Sequence, residues 1–167
     1  VIDRGFNETG VHQGFKKIIL QSVNTSEYHV RFSNLDGSNE VIRQISKEPN
    51  YNFTFLSLEN KVVEVQPQKN NWDLAFTQYT HVFQGDPPTP YLVSGVLTNR
   101  HSVEVATIFD KDFSSITLND VGQYPFSTTI NQVGYDWKEY NFSTTKYTVF
   151  SDKNYLIKST EGKFYKF

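Results

Sequence analysis

The side chains best able to do chemistry in this chain are four histidines, His12, His29, His81 and His101. Cysteine and methionine are both absent, so thiolate and thioether ligands, disulfides and cysteine nucleophiles are excluded. What remains is imidazole, which ligates a metal when neutral and exchanges protons near neutral pH. His81 is the best placed of the four. It ends the run Asn71-Trp72-Asp73-Leu74-Ala75-Phe76-Thr77-Gln78-Tyr79-Thr80-His81 and stands immediately before Val82-Phe83 and the segment Gln84-Gly85-Asp86-Pro87-Pro88-Thr89-Pro90. His29 alternates with Tyr28 and Val30 and reads as a surface or satisfied strand residue, and His12 lies in a polar, patternless start.

The element that must position His81 is a strand. Trp72, Leu74, Phe76 and Gln78 share one face of it, Asp73, Ala75, Thr77 and Tyr79 the other, and the aromatic and Thr content favours extended backbone. This pattern predicts a buried strand delivering a histidine to a stiff proline loop that no regular element absorbs. Tyr91 to Thr98 is long enough to pair back antiparallel. Such pairing puts His81 at the loop end and His101 beside Trp72, roughly 30 Å apart over nine residues at about 3.3 Å each. One metal ion cannot bridge that distance.

Elsewhere, Phe15 to Val23 and Tyr28 to Ser33 read as a hairpin, followed by an Asp36-Gly37 turn. Val41 to Ile45 fits a strand or one helical turn, Tyr51 to Leu58 a half-buried strand, and Asn60 to Gln66 a further strand. Ser102 to Asp110 fits a strand or a short helix, and a helical turn is expected near Leu118 to Gly122. Tyr135 to Tyr140, Lys146 to Ser151, Tyr155 to Thr160 and Lys163 to Phe167 read as short strands, with turns at Asp152-Lys153-Asn154 and Glu161-Gly162-Lys163. Residues 1–13 read as an N-terminal tail or an early edge segment. The remainder, 14–167, reads as a mainly β single domain, an antiparallel meander or sandwich with one or two short helices.

Composition agrees with that class: ten Tyr, fourteen Phe and two Trp in 167 residues tilt it toward β, and the length suits one core. A net charge of −2 with scattered basic residues argues against nucleic acid as a partner. The start, Val1-Ile2-Asp3-Arg4-Gly5, lacks the features of a leader, and no run reaches membrane-spanning length. Asn-x-Ser/Thr matches at Asn7, Asn24, Asn52 and Asn141 matter only in a eukaryotic secretory setting. The chain stops inside an expected strand, so its natural C-terminus is expected to lie further on.

Four pieces in order carry a family resemblance: Trp72-Asp73-Leu74-Ala75-Phe76-Thr77, Ser94-Gly95-Val96-Leu97-Thr98-Asn99, Gly134-Tyr135-Asp136-Trp137-Lys138, and Tyr155 to Phe167. Together they resemble the HmuY-like family of Bacteroidetes-type surface or secreted lipoproteins, whose founding members bind haem. The resemblance is strongest over 62–167. The pieces themselves read as structural: Trp72 and Trp137 as core anchors, Gly95 as a bulge or close backbone approach, Gly134 as a turn.

The resemblance implies a haemophore-like role in iron acquisition, at the outer-membrane surface or secreted, with haem held non-covalently by axial side chains. It also implies an outer-membrane receptor as partner, and contact with a membrane only through a lipid anchor carried by a precursor. On this chain the axial candidates are His81, Tyr124 and Tyr135; a tyrosinate can ligate ferric haem. Tyr79, Phe83 and Tyr91 are the pocket candidates, Arg100 and Lys111 the propionate candidates, and no metal other than haem iron is expected. Binding is expected to depend on pH, because the ligating imidazole must be neutral.

Catalysis finds little support: Gly-x-Ser-x-Gly, His-Glu-x-x-His, phosphate-loop and EF-hand patterns are missing. Asp110, Asp112 and Asp120 read as solvated or capping carboxylates. The alternative from another class is a non-enzymatic glycan- or protein-binding surface module, using Tyr and Phe around the proline-rich loop with Asn and Gln amides.

Overall fold

The computed structural model describes residues 1–59 and 62–167, and among these it has thirteen β-strands and two 3-10 turns, with every strand pair antiparallel. The mainly β, antiparallel class read from composition and alternation is the class observed. The chain divides into two compact units, Val1–Pro67 and Gln68–Phe167.

The first unit is a four-stranded sheet in the order β1 (Ile2–Asp3), β2 (Phe15–Val23), β3 (Glu27–Ser33), β4 (Val41–Ser46). Residues 1–13 take the edge-segment form: β1 pairs with the start of β2. Val41 to Ile45, open between strand and helix in the sequence, is a strand. Alternation on β3 sends Val30 and Phe32 inward, where they meet Ile45 and are backed by Ile18, Val41, Leu56 and Leu58. Tyr51 to Leu58 is not a full strand. Among the described residues only β5 (Phe55–Leu56) pairs, with β6 (Val62–Val63). Asn60 and Lys61, the start of the strand expected over 60–66, lie outside the described residues.

The second unit holds the long hairpin of β7 (Leu74–Phe83) and β8 (Thr89–Thr98), in unbroken register from Leu74 opposite Thr98 to Phe83 opposite Thr89. Thr89 and Pro90 therefore belong to β8, which absorbs the end of the segment expected to be irregular. β9 (Glu104–Ile108) forms the edge of a three-stranded sheet with β12 (Asn154–Lys158) in the middle and β13 (Phe164–Lys166) beyond it. β10 (Lys138–Asn141) and β11 (Lys146–Val149) form a separate hairpin. Of the two 3-10 turns, Leu118–Asp120 lies where the sequence predicts a helical turn, and Phe113–Ser115 precedes it.

The middle strand shows why this unit holds together. Tyr155, Leu156 and Ile157 of β12 are all buried, so both faces of its sheet are covered. One face packs Val105, Tyr155 and Ile157 against Val96, Val103 and Val133; the other packs Ala106, Ile108 and Leu156 against Ile116. β8 contributes Val93, Val96 and Thr98 to the interior, whereas no residue of β7 is fully buried. β7 is thus an outer strand and not the buried one the pattern predicted, and Phe76, expected to face the core, is 66% exposed. Trp137 packs on the first cluster and donates from Nε1 to the Gly134 carbonyl at 3.2 Å.

Asp120 closes the second 3-10 turn. Its buried carboxylate accepts from the Thr117 N–H at 2.7 Å and pairs with the Lys111 ammonium. The Lys111 hydrogen bond, then that from Thr117, holds this carboxyl below its ordinary value of 3.8. The folded state therefore gains stability from Asp120 that is complete above the ordinary carboxylate range. It is lost as pH falls through the lowered folded value. Acid titration of unfolding should show this dependence, and Asp120→Asn should be less stable at neutral pH and flatter below pH 4.

Candidate functional site

The site is built on the face of β7 that carries Thr77, Tyr79, His81 and Phe83. Antiparallel register sets Tyr91 directly across from His81 and Gly95 across from Thr77 on this same face. Gly95 is the position that opens it. A Cβ built there would fall onto the Gly134 carbonyl oxygen, 2.9 Å from its carbon and 3.0 Å from the Tyr135 Cα. With no side chain at Gly95, the segment carrying Gly134 and Tyr135 crosses close over the hairpin. It is pinned by Val96 N–H to Gly134 O at 2.8 Å and Gly134 N–H to Val96 O at 3.1 Å. Gly134, at φ 67°, supplies the turn that this crossing requires.

The crossing brings Tyr135 onto His81, with ring centroids 4.9 Å apart. Phe83 closes the group, 4.8 Å from His81 and 6.0 Å from Tyr135, and Tyr91 lies 6.2 Å from Phe83. Beside these rings a cavity of about 550 Å³ is lined by Tyr79, His81, Thr107, Phe109, Asn131, Gln132, Gly134, Tyr135, Asp136 and Lys153. That volume falls within the range of small-molecule sites. Two features of its wall point to a polar ligand group. The Tyr79 hydroxyl is buried with no hydrogen-bond partner. Lys153, whose side chain is only 12% exposed, brings its ammonium to the Asp136 carboxylate at 2.7 Å. Burial, then the neighbouring Tyr135 and Asp136, push the Tyr79 phenol up from its ordinary value, so it keeps its proton and acts as a donor.

Of the sequence candidates, the structure brings together His81, Tyr135, Tyr79, Phe83 and Tyr91. It places the other three elsewhere. Tyr124 packs with Ala106 and Ile108, on the face of β9 opposite Thr107 and the cavity. Its hydroxyl donates to Asp110 at 2.7 Å and is held up to about 12, a phenol that resists becoming a ligand. Lys111 is engaged with Asp120 on that same far side. Arg100 follows β8 at the end where Leu74 pairs with Thr98, seven residues along β7 from His81, or roughly 23 Å at 3.3 Å per residue. His101 lies at that end too, so the separation from His81 argued from the hairpin holds.

Sequence reasoning missed Lys153, Asp136, Asn131 and Gln132 as wall residues. Lys153 sits in a turn, where charges are usually solvated; here its ammonium also stands 5.9 Å from the Phe109 ring centroid. The signal that could have found the crossing segment was Gly95, whose lack of a side chain already implied that some backbone approaches it.

The donor set can be tested against a haem. Two rings bound to opposite faces of one iron would have centroids roughly 7 Å apart, from metal–ligand distances near 2 Å. At 4.9 Å and in mutual contact, His81 and Tyr135 do not form such a pair. The residues fit a haem held by one imidazole, with aromatic walls and a cation for a carboxylate. Among the described residues no group of three His, Asp or Glu side chains is arranged to hold a bare metal ion. No protein-family model, curated protein or solved structure matches the chain.

Proposed function

We propose that the second unit binds haem non-covalently in the cavity beside His81 and serves in haem capture at a bacterial surface. The observation that carries this reading is the convergence of the His81 imidazole, the Tyr135 and Phe109 rings, an orphaned Tyr79 hydroxyl and the Lys153 ammonium on one open cavity, with Phe83 packed against His81 beside it. His81 would hold the iron, Tyr135 and Phe83 orient the imidazole and cover the macrocycle edge, and Lys153 would exchange Asp136 for a propionate. When bound, the haem supplies the iron as Lewis acid and the macrocycle as apolar surface; the protein does no chemistry on it. Surface lipoprotein anchoring and hand-over to an outer-membrane receptor follow from the HmuY-like resemblance and belong to the same proposal.

Haemin titration followed at the Soret band tests it. The wild-type protein should give a shifted, saturable band, and His81→Ala should weaken binding at least about tenfold, the loss of roughly 1.4 kcal/mol of ligation. A Soret band unaltered by wild-type protein would overturn the proposal.

One observation favours the alternative of a glycan-binding surface. Tyr91 is 62% exposed and stands across the hairpin from His81, whose cavity also carries the amides of Asn131 and Gln132. Retention on a mucin glycan array that weakens in Tyr91→Ala, without any haemin response, would support that second reading.

A further inference from the structure

The outer edge of β7 is the feature of the fold that the proposed site leaves unexplained. β8 uses both of its edges, pairing with β7 on one side and meeting Gly134 and Ile130 on the other. β7 uses only one. Among the described residues, its ten positions make no backbone hydrogen bond except to β8. Edge strands are ordinarily protected by lysine, proline, a bulge or shortness. Leu-Ala-Phe-Thr-Gln-Tyr-Thr-His-Val-Phe has no charged residue other than a titratable histidine, no proline or glycine and no break in register.

We propose that this edge is an interface on which β7 of a second copy of the chain pairs antiparallel, giving a continuous β8–β7–β7–β8 sheet. A two-fold axis perpendicular to the sheet keeps each face on the same side, so paired residues must share parity. The register centred on Tyr79 satisfies this and is self-complementary. Phe76 lies opposite Val82 of the other copy, Gln78 opposite Thr80, Ala75 opposite Phe83 and Thr77 opposite His81. The exposed pair Phe76 and Val82, at 66% and 44%, is thereby matched twice, apolar on apolar. Shifting the centre to Gln78 would set Phe76 against Thr80 and direct Val82 at Leu74, which is already packed on the core. Because no like charges face each other, nothing in the strand opposes its own pairing.

The pairing also has a consequence for the site. His81 and Tyr79 of both copies fall on one face of the joined sheet, and Thr77 of each copy lies beside His81 of the other. The two His81 positions are offset by four residues along the strands, roughly 13 Å. This pairing is independent of which ligand the cavity takes.

Sedimentation equilibrium of the wild-type chain should give twice its 19.3 kDa with a concentration-dependent monomer fraction. Phe76→Lys and Thr80→Lys, each placing a cation on the exposed face of the edge, should sediment as monomers that keep the wild-type circular-dichroism spectrum, Phe76→Lys also losing its ring contact with Phe167. Since the chain has no cysteine, Gln78→Cys/Thr80→Cys compared with its two single variants reads the register: the double variant should oxidise to a covalent dimer on a non-reducing gel, and Gln78→Cys or Thr80→Cys alone should not. A wild-type chain that stays at 19.3 kDa at every concentration overturns the pairing. So does a dimer that survives both lysine variants, or one that the cysteine pair fails to cross-link. A monomer whose β7 amides become protected only when an unrelated extended peptide is added would assign the edge to a heterologous strand instead.

Discussion

Gly95→Ala is expected to damage both the second unit and its site, more than any other single methyl group added to the hairpin. The new Cβ would occupy the position of the Gly134 carbonyl, and backbone in a pinned crossing cannot swing aside as a flexible side chain would. Relief requires the segment carrying Gly134 and Tyr135 to lift, losing the paired hydrogen bonds to Val96. Overpacking of this kind costs about 1–3 kcal/mol, and each lost hydrogen bond about 1 kcal/mol more. Denaturant unfolding should therefore show a loss of about 3 kcal/mol. Haemin affinity should fall as well, by about fivefold, because Tyr135 leaves His81 and an aromatic contact is worth about 1 kcal/mol. Ser94→Ala, one residue away and exposed, is the control and should change neither quantity. Wild-type stability in Gly95→Ala would mean that the close crossing does not exist in solution.

The second large effect lies at the opposite end of the hairpin. Asn99 is fully buried, and its amide donates to the carbonyls of Lys69 and Trp72, each at 2.6 Å, while its Oδ1 accepts the His101 N–H at 2.9 Å. Its own N–H reaches the Asp73 carbonyl at 2.8 Å, so one residue ties the entry of β7 to the exit of β8. Replacing Asn99 by Ala leaves two acceptors and one donor without that partner, and a buried group so treated costs about 1–3 kcal/mol. A total loss of about 3 kcal/mol is a large share of the roughly 5–15 kcal/mol that holds a domain folded. Asn99→Asp should do no better at neutral pH, since an ionised carboxylate cannot donate to either carbonyl. Because this latch is remote from His81, haemin affinity measured on the folded fraction should stay at the wild-type value. A fall in affinity without a fall in stability would contradict the separation of the two ends.

Much of this organisation is legible in the residues, and the reasons differ by element. Phe15 to Val23 reads as a strand and is one with the same bounds, because β-branched and aromatic residues lie between two turn signals. The β7–β8 pairing is legible from two runs of matching length around a proline-rich turn, and with it the separation of His81 from His101. Tyr51 to Leu58 misleads because strict alternation needs a neighbouring strand to become a ladder. Among the described residues only Phe55 and Leu56 find one, in Val62 and Val63. Phe76 misleads in another way: its alternation is correct, but the strand is an outer one and its face is open.

Within the candidate site, His81, Phe83 and Tyr91 are close in sequence or register and could be grouped from the chain alone. Tyr135 reads as a ligand candidate from its residue type, yet its contact with His81 depends on the crossing at Gly95, a tertiary event. Lys153 enters from a turn, and Asp136 from the start of a stretch that reads as a strand but pairs only from Lys138 on. Tyr124 and Lys111 look equivalent to them in sequence but fall behind β9, because successive residues of a strand point to opposite faces.

Haem held by a single protein imidazole is the central claim, and electron paramagnetic resonance of the ferric-haemin complex tests it most directly. The expected spectrum is high-spin, as one strong axial nitrogen requires, and the signal of protein-bound haem should be lost in His81→Ala. A low-spin spectrum with two nitrogen ligands, or one unchanged in His81→Ala, would contradict it.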